Sequence, residues 1–292
     1  MDSLTPSLVV IGGTFLDLLT VTPPLHRINA VPTAPDVILR AGGAGAGVAV
    51  ALAGMGVRTV LFSVIGDDID GRFIAEDLAE RGVDTSALVF TQDAQTGVVV
   101  MVQDAAGEHT LLAPVTSTCH YLLPDDHLSR VAAYQPTAIH ISGTMLRMEP
   151  SSGAVRRFVE SWQGRTKLYF DTNLSQLQAS RAEIPVEALC ETARCCDVIF
   201  STQAELDALG LQVNGRQRII ARTGANGAAF NGSAGQIASA PDRPADAMNR
   251  MGAGDAFDAA FIAAELCGMA EPQALAMASI AARRTLEAQK IT

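Results

Sequence analysis

The sequence predicts an α/β fold: a mostly parallel sheet with helices on both faces, and a small β-lid. Short apolar runs bounded by glycine or polar turns recur along the chain and read as buried strands. Amphipathic or Ala-rich stretches fall between them, and strands alternating with helices give a parallel sheet. Two segments, about 18–40 and 96–113, break the alternation and read as antiparallel additions outside that sheet, either a small lid over the ligand edge or ordinary surface hairpins. The 292 residues, 48% of them hydrophobic, suffice for one α/β domain spanning 1–292.

The elements follow in order. Leu8 to Ile11, ahead of Gly12-Gly13, reads as a first strand ending in a tight turn. Val48, Leu52 and Met55 fall at helical spacing within the Ala/Gly-rich stretch 44–56. Thr59 to Ile65 is a second strand, and Asp70 to Arg81 an amphipathic helix stopped by Gly82. Ala138 to Ile141, Leu168 to Phe170, Val198 to Phe200 and Ile219 to Ala221 are further strands, with helices near 151–162, 186–194 and 203–209. In the irregular segments, Pro23, Pro24, Pro32 and Pro35 interrupt the first, while Val98 to Val102 and Thr110 to Leu112 read as an antiparallel pair in the second. Right-handed crossovers put most strand carboxyl ends along one edge, where ligands bind.

A net charge of −10 argues against nucleic acid or an anionic membrane as partner. The five cysteines, Cys119, Cys190, Cys195, Cys196 and Cys267, show no framework spacing, which fits a reducing compartment. Met1-Asp2-Ser3 lacks a basic leader and no apolar run is long enough to span a bilayer, so a soluble cytoplasmic protein is expected. Both lysines, Lys167 and Lys290, lack the glycine context of a Walker A loop. No G-x-G-x-x-G, H-E-x-x-H or G-x-S-x-G occurs, which lowers the weight of dehydrogenase, metalloprotease and α/β-hydrolase readings.

The strongest local signal is Asn249-Arg250-Met251-Gly252-Ala253-Gly254-Asp255, ahead of an apolar stretch to Leu266. Small residues opening a helix leave its first N–H groups unobstructed for an anion, and Asp255 at that positive end could take a proton from a hydroxyl. A plain helix start with an acidic first turn explains the same residues. Gly42-Gly43-Ala44-Gly45-Ala46-Gly47 opens another helix, for which close packing on a sheet is the plainer explanation. Asp17 either meets substrate hydroxyls or is a solvated turn residue.

Together and in this order, the three features resemble the PfkB, or ribokinase-like, family of carbohydrate kinases over nearly the whole chain. Gly66-Asp67-Asp68-x-x-Gly71, Thr96-Gly97 with Gly107-Glu108-x-Thr110, Asp171-x-Asn173 and Arg222-Thr223-Gly224-Ala225-Asn226-Gly227 extend the likeness. The resemblance implies a three-layer Rossmann-like fold with a β-lid, often dimeric through the lids. It implies transfer of the ATP γ-phosphoryl group to a hydroxyl of a sugar or sugar-like molecule, with Mg²⁺. Asp255 would be the base, and Gly252, Ala253 and Gly254 the anion hole. Asp17, Gly42, Gly43 and Gly47 would line the substrate site. Arg222, Gly224, Ala225, Gly227 and Asn173 would serve the nucleotide, and Glu205 would hold Mg²⁺ through water.

Four positions depart from the family pattern. Gly47 stands where an Asn is usual, Asn249 replaces an Asp, Thr202 replaces the Asn of N-x-x-E, and only 37 residues follow Asp255. The loss of charge at Asn249 means that a monovalent-cation requirement does not carry over. A nucleoside kinase on the same scaffold, with Phe15, Met101 and His109 against a base, is one alternative. A non-catalytic nucleotide- or metabolite-binding relative is the other; intact Gly252 to Asp255 weighs against it.

Overall fold

The computed structural model describes residues 7–22, 37–104, 109–113, 119–174, 185–211, 217–222, 228–231, 238–239 and 252–288. Seven parallel strands form the main sheet: β1 (Ser7–Ile11), β4 (Arg58–Gly66), β5 (Leu88–Thr91), β8 (Ala138–Ser142), β9 (Lys167–Asp171), β10 (Val198–Thr202) and β11 (Arg218–Arg222). Antiparallel β12 (Ala228–Asn231) and β13 (Ala238–Ser239) extend one edge. The order β13-β12-β11-β10-β9-β8-β1-β4-β5 turns back at β1. The chain builds outward from β1 to β5, then returns to β8 on the other side. A crevice opens at such a reversal, outside the strand carboxyl ends.

Strand alternation sorts the core into two layers. Leu8, Val10, Leu61 and Ile65 face α1 (Ala44–Gly54), α2 (Ile69–Glu80), α7 (Ala253–Leu266) and α8 (Glu271–Ala288). Val9, Ile11, Val60, Phe62 and Val64 face the other layer, which holds α3 (Asp125–Ser129), α4 (Ser151–Trp162), α5 (Val186–Cys195) and α6 (Gln203–Leu209). Strands covered on both faces must be apolar at successive positions, which explains their unbroken hydrophobic runs. Phe257 and Phe261 of α7 meet the Phe200 ring edge-on at 6.4 and 5.5 Å, fixing that helix on the sheet.

A second sheet, β3-β2-β6-β7, comprises β2 (Phe15–Thr22), β3 (Val37–Gly42), β6 (Val98–Asp104) and β7 (His109–Leu112). Residues 23–36, with the four prolines, lie outside the described residues, as do Gly107 and Glu108. The expected antiparallel pairing is found for β2 with β3 and for β6 with β7, but β2 and β6 run parallel. Both leave the body at the same edge, where Leu16 N donates to Gly97 O at 2.8 Å, so they travel outward together. Asp68 organises this joint. It caps α2 through Gly71 N and accepts from Thr96 N and Thr96 Oγ1, at 2.8, 2.8 and 2.7 Å. Thr96 Oγ1 in turn receives Gly66 N at 2.9 Å. The Gly66–Gly71 and Thr96-Gly97 motifs thus tie the second sheet to the body.

Candidate active site

Two helix starts meet at the reversal of strand order. Gly43, at φ 91°, precedes α1, and Gly252, at φ 73°, precedes α7; both lie in the left-handed region that favours glycine. A Cβ at Gly45 would stand 2.5 Å from the Gly12 carbonyl carbon, so the end of β1 and the first turn of α1 approach as only glycines allow. The N-cap of α7 is Gly252, which offers no capping side chain, and the first turn is Ala253-Gly254-Asp255. The N–H groups of such a helix start suit an anion.

Gly47 faces Asp255 directly. A Cβ at Gly47 would overlap the Asp255 carboxylate, and a Cβ at Gly42 would overlap that of Asp17. The missing side chains at the end of β3 and in the first turn of α1 therefore make room for two acidic groups. This gives the departure at Gly47 a physical basis: any larger residue would force the Asp255 carboxylate to turn. Asp17, expected just after the first strand, lies within β2 and is buried. Burial pushes its carboxyl up to about 6, against the pull of the Arg40 guanidinium. Asp255 is half-buried. Its carboxyl rises to about 7, first through loss of water and then through repulsion from Asp171 and Asp17, with Arg222 opposing.

Behind Asp255 lies a largely buried ionic cluster. Arg222 donates to both oxygens of Asp171, at 2.8 and 3.0 Å, and to Asp258 Oδ1 at 2.9 Å. Burial opposes its charge, but Asp171 and Asp258 outweigh burial and keep it protonated. Its Nη1 would lie 3.2 Å from a Cβ at Gly254, so the guanidinium sits under the first turn of α7. Asp258 lies one turn beyond Asp255 and is driven upward by burial, which outweighs the opposing guanidinium. His140 Nε2 stands 3.7 Å from Asp258 Oδ2, and burial pulls its imidazole down to about 4, keeping it neutral. Sequence reading missed Asp171, Asp258 and His140 as members of this cluster. The spacing of Asp255 and Asp258 on one face of α7 was the available signal.

Asn173 joins two strand ends. It adopts φ 45°, donates Nδ2 to Asp171 Oδ2 at 2.8 Å, and accepts from Ser142 Oγ and Gly143 N at 2.7 and 3.1 Å. Glu205 is buried at the start of α6, where it completes a capping box with Thr202. Its Oε2 accepts from Thr202 N, Thr172 Oγ1 and Ser201 Oγ at 2.9, 3.1 and 3.2 Å. Thr202 therefore holds Glu205 in place through the backbone. Gly224, Ala225, Gly227 and Asn249 lie outside the described residues.

The model of the pfkB family carbohydrate kinases matches residues 5–290. The chain is 30% identical over 236 residues to a fructokinase of Klebsiella pneumoniae, with 76% of each covered. It is 25% identical over 257 residues to a 5-dehydro-2-deoxygluconokinase of Shouchella clausii, covering 82% of this chain and 78% of that one. A Pyrococcus horikoshii sugar kinase solved in complex with ATP superposes with a TM-score of 0.81 at 22% identity, covering 96% of this chain and 92% of that one.

Proposed function

This chain belongs to the pfkB family of carbohydrate kinases, and we propose that Asp255 is the base with which it moves the ATP γ-phosphoryl group to a hydroxyl of a sugar-like molecule. The observation that carries this is the meeting of Asp255, half-buried on a glycine-capped helix start, with Gly47 in the small-residue first turn of α1 and with Asp17 beyond it. Asp255 takes the hydroxyl proton as the acceptor oxygen bonds to γ-phosphorus and the bond to the ADP oxygen breaks. The N–H groups of Gly252, Ala253 and Gly254 meet the charge on the transferred group. Asp17 accepts hydrogen bonds from acceptor hydroxyls, with Gly42, Gly43 and Gly47 giving it room. The backbone beyond Arg222, with Gly224, Ala225 and Gly227, serves the nucleotide. The Arg222 side chain and Asn173 support the site from behind.

Among the described residues no cluster of three or more acidic, His or Cys groups could cage a metal. Glu205, a buried carboxylate at the start of α6, would hold Mg²⁺ through water beside the nucleotide. When bound, the ion offsets charge on the phosphates. Asn249, a neutral amide, removes one negative charge from the place where the family pattern has a carboxylate. No helix among the described residues is long and apolar enough to cross a membrane. Free cysteines throughout those residues favour a reducing cytoplasm. Exposed Val37, Ile38, Leu39, Leu111 and Leu112 on the outer strands of the second sheet suit a homodimer through the lids.

ADP release in the presence of Mg²⁺ and ATP, measured across sugars, sugar acids and nucleosides, tests the proposal. Release that depends on a sugar or sugar acid is expected. A flat panel contradicts it, and a response to nucleosides alone transfers the reading to a nucleoside kinase.

A further inference from the structure

Asp17 and Arg40 are direct cross-strand partners on β2 and β3. Strand alternation puts both side chains on the face that carries Phe15 and Gly42, while Leu16 and Ala41 turn into the core. Arg40 Nε stands 3.8 Å from Asp17 Oδ2, beyond hydrogen-bond length. Among the described residues, no acceptor lies within hydrogen-bond distance of that guanidinium. The Asp17 side chain keeps 4% of its exposure and that of Arg40 keeps 28%, so the carboxylate is sheltered and the fork is reachable.

The location gives this loose pair its meaning. Gly42, at the end of β3, marks Asp17, and Gly47, in the first turn of α1, marks Asp255. Asp17 lies close enough to Asp255 to repel its carboxylate, so one small acceptor meets both. A neutral sugar needs acceptors such as Asp17 for its hydroxyls. A guanidinium offers donors only, in a planar fork that matches a carboxylate or phosphate. An anion entering beside Asp17, Asp171 and Asp255 also needs a cation to offset repulsion. Arg222 is already committed to Asp171 and Asp258. Arg40 is the remaining cation among the described residues of the site.

We propose that Arg40 determines acceptor specificity, and that the acceptor carries an anionic group, carboxylate or phosphate monoester, besides its reacting hydroxyl. The inference rests on the kinase reading above. A charged hydrogen bond of this kind contributes about 1.5–3 kcal/mol, or roughly 10–100-fold in affinity.

The test compares wild type, Arg40→Gln and Arg40→Lys on fructose, gluconate, 5-dehydro-2-deoxygluconate and fructose 6-phosphate. ADP release and thermal shift by each acceptor are read in parallel. Wild type is expected to favour an anionic acceptor. Arg40→Gln should raise its KM roughly 10–100-fold with kcat little changed, leave the KM for fructose within about twofold, and Arg40→Lys should recover part of the loss. A better response to the acids assigns a carboxylate and a better response to the phosphate assigns a phosphoryl group; either supports the subsite. Preference for fructose in wild type, or an equal KM rise for every acceptor, overturns it while the kinase reading stands. If no acceptor releases ADP, the kinase reading falls and thermal shift decides the subsite. A shift by an anionic acceptor that Arg40→Gln abolishes keeps it, and equal or absent shifts overturn it.

Discussion

The two arginines of the site do opposite things with similar chemistry. Arg222 spends its fork on Asp171 and Asp258 at 2.8–3.0 Å, with only 14% of its side chain exposed. Arg40 stands 3.8 Å from Asp17 and remains accessible. A buried charge must be compensated within the fold, because burial without a partner costs several kcal/mol. A charge left loosely paired at a cleft is available to a ligand. The first arginine therefore belongs to stability and to the setting of Asp255, the second to recognition.

That contrast can be broken at several points. Arg222→Met should cost the most, about 3–5 kcal/mol of stability, since it leaves Asp171 and Asp258 uncompensated in the interior. Urea unfolding measures it, and a loss as small as that of an exposed arginine would remove the structural role. Gly47→Ala should come next. Turning the Asp255 carboxylate by even an ångström costs up to about 10²-fold in kcat, and a rate within twofold of wild type would show that the carboxylate adapts. Asp68→Ala removes the cap of α2 and the tie to Thr96, for about 1–2 kcal/mol. Thermal melts should show that loss with ATP affinity unchanged.

The pH dependence sharpens the same contrast. Asp255 must be ionised to act, so kcat/KM should rise with pH through about 7. Its raised folded value favours the protonated native state. That contribution to stability is full below the unfolded value of 3.8 and is lost as pH rises through 7. Asp255→Asn should therefore melt progressively higher than wild type as pH increases from 5 to 8. An identical pH dependence of melting in both proteins would contradict a raised carboxyl at Asp255.

The architecture was largely legible in the sequence because buried parallel strands cannot hide their apolar runs. Leu8 to Ile11 and Thr59 to Ile65 emerge as β1 and β4 with no end moved by more than one residue. The pairing of β2 with β6 was not legible, since register between distant segments is fixed by where both leave the body. Asp17 shows the same limit. Its residue type suggested substrate contact, but its burial arises from strands β3 and β6 on either side of β2. Asp258 and His140, 118 residues apart in sequence, met only in the fold. The joint at Asp68 and Thr96 showed the reverse. Residues that belong to a recurring pattern proved to hold one sheet to another.

The most direct test of Asp255 is single-turnover ADP formation by Asp255→Asn with Mg²⁺, ATP and the best acceptor pre-bound. The rate should fall by about 10²–10⁴ while the thermal shift by ATP and Mg²⁺ is retained. Turnover within about threefold of wild type would contradict its role as the base.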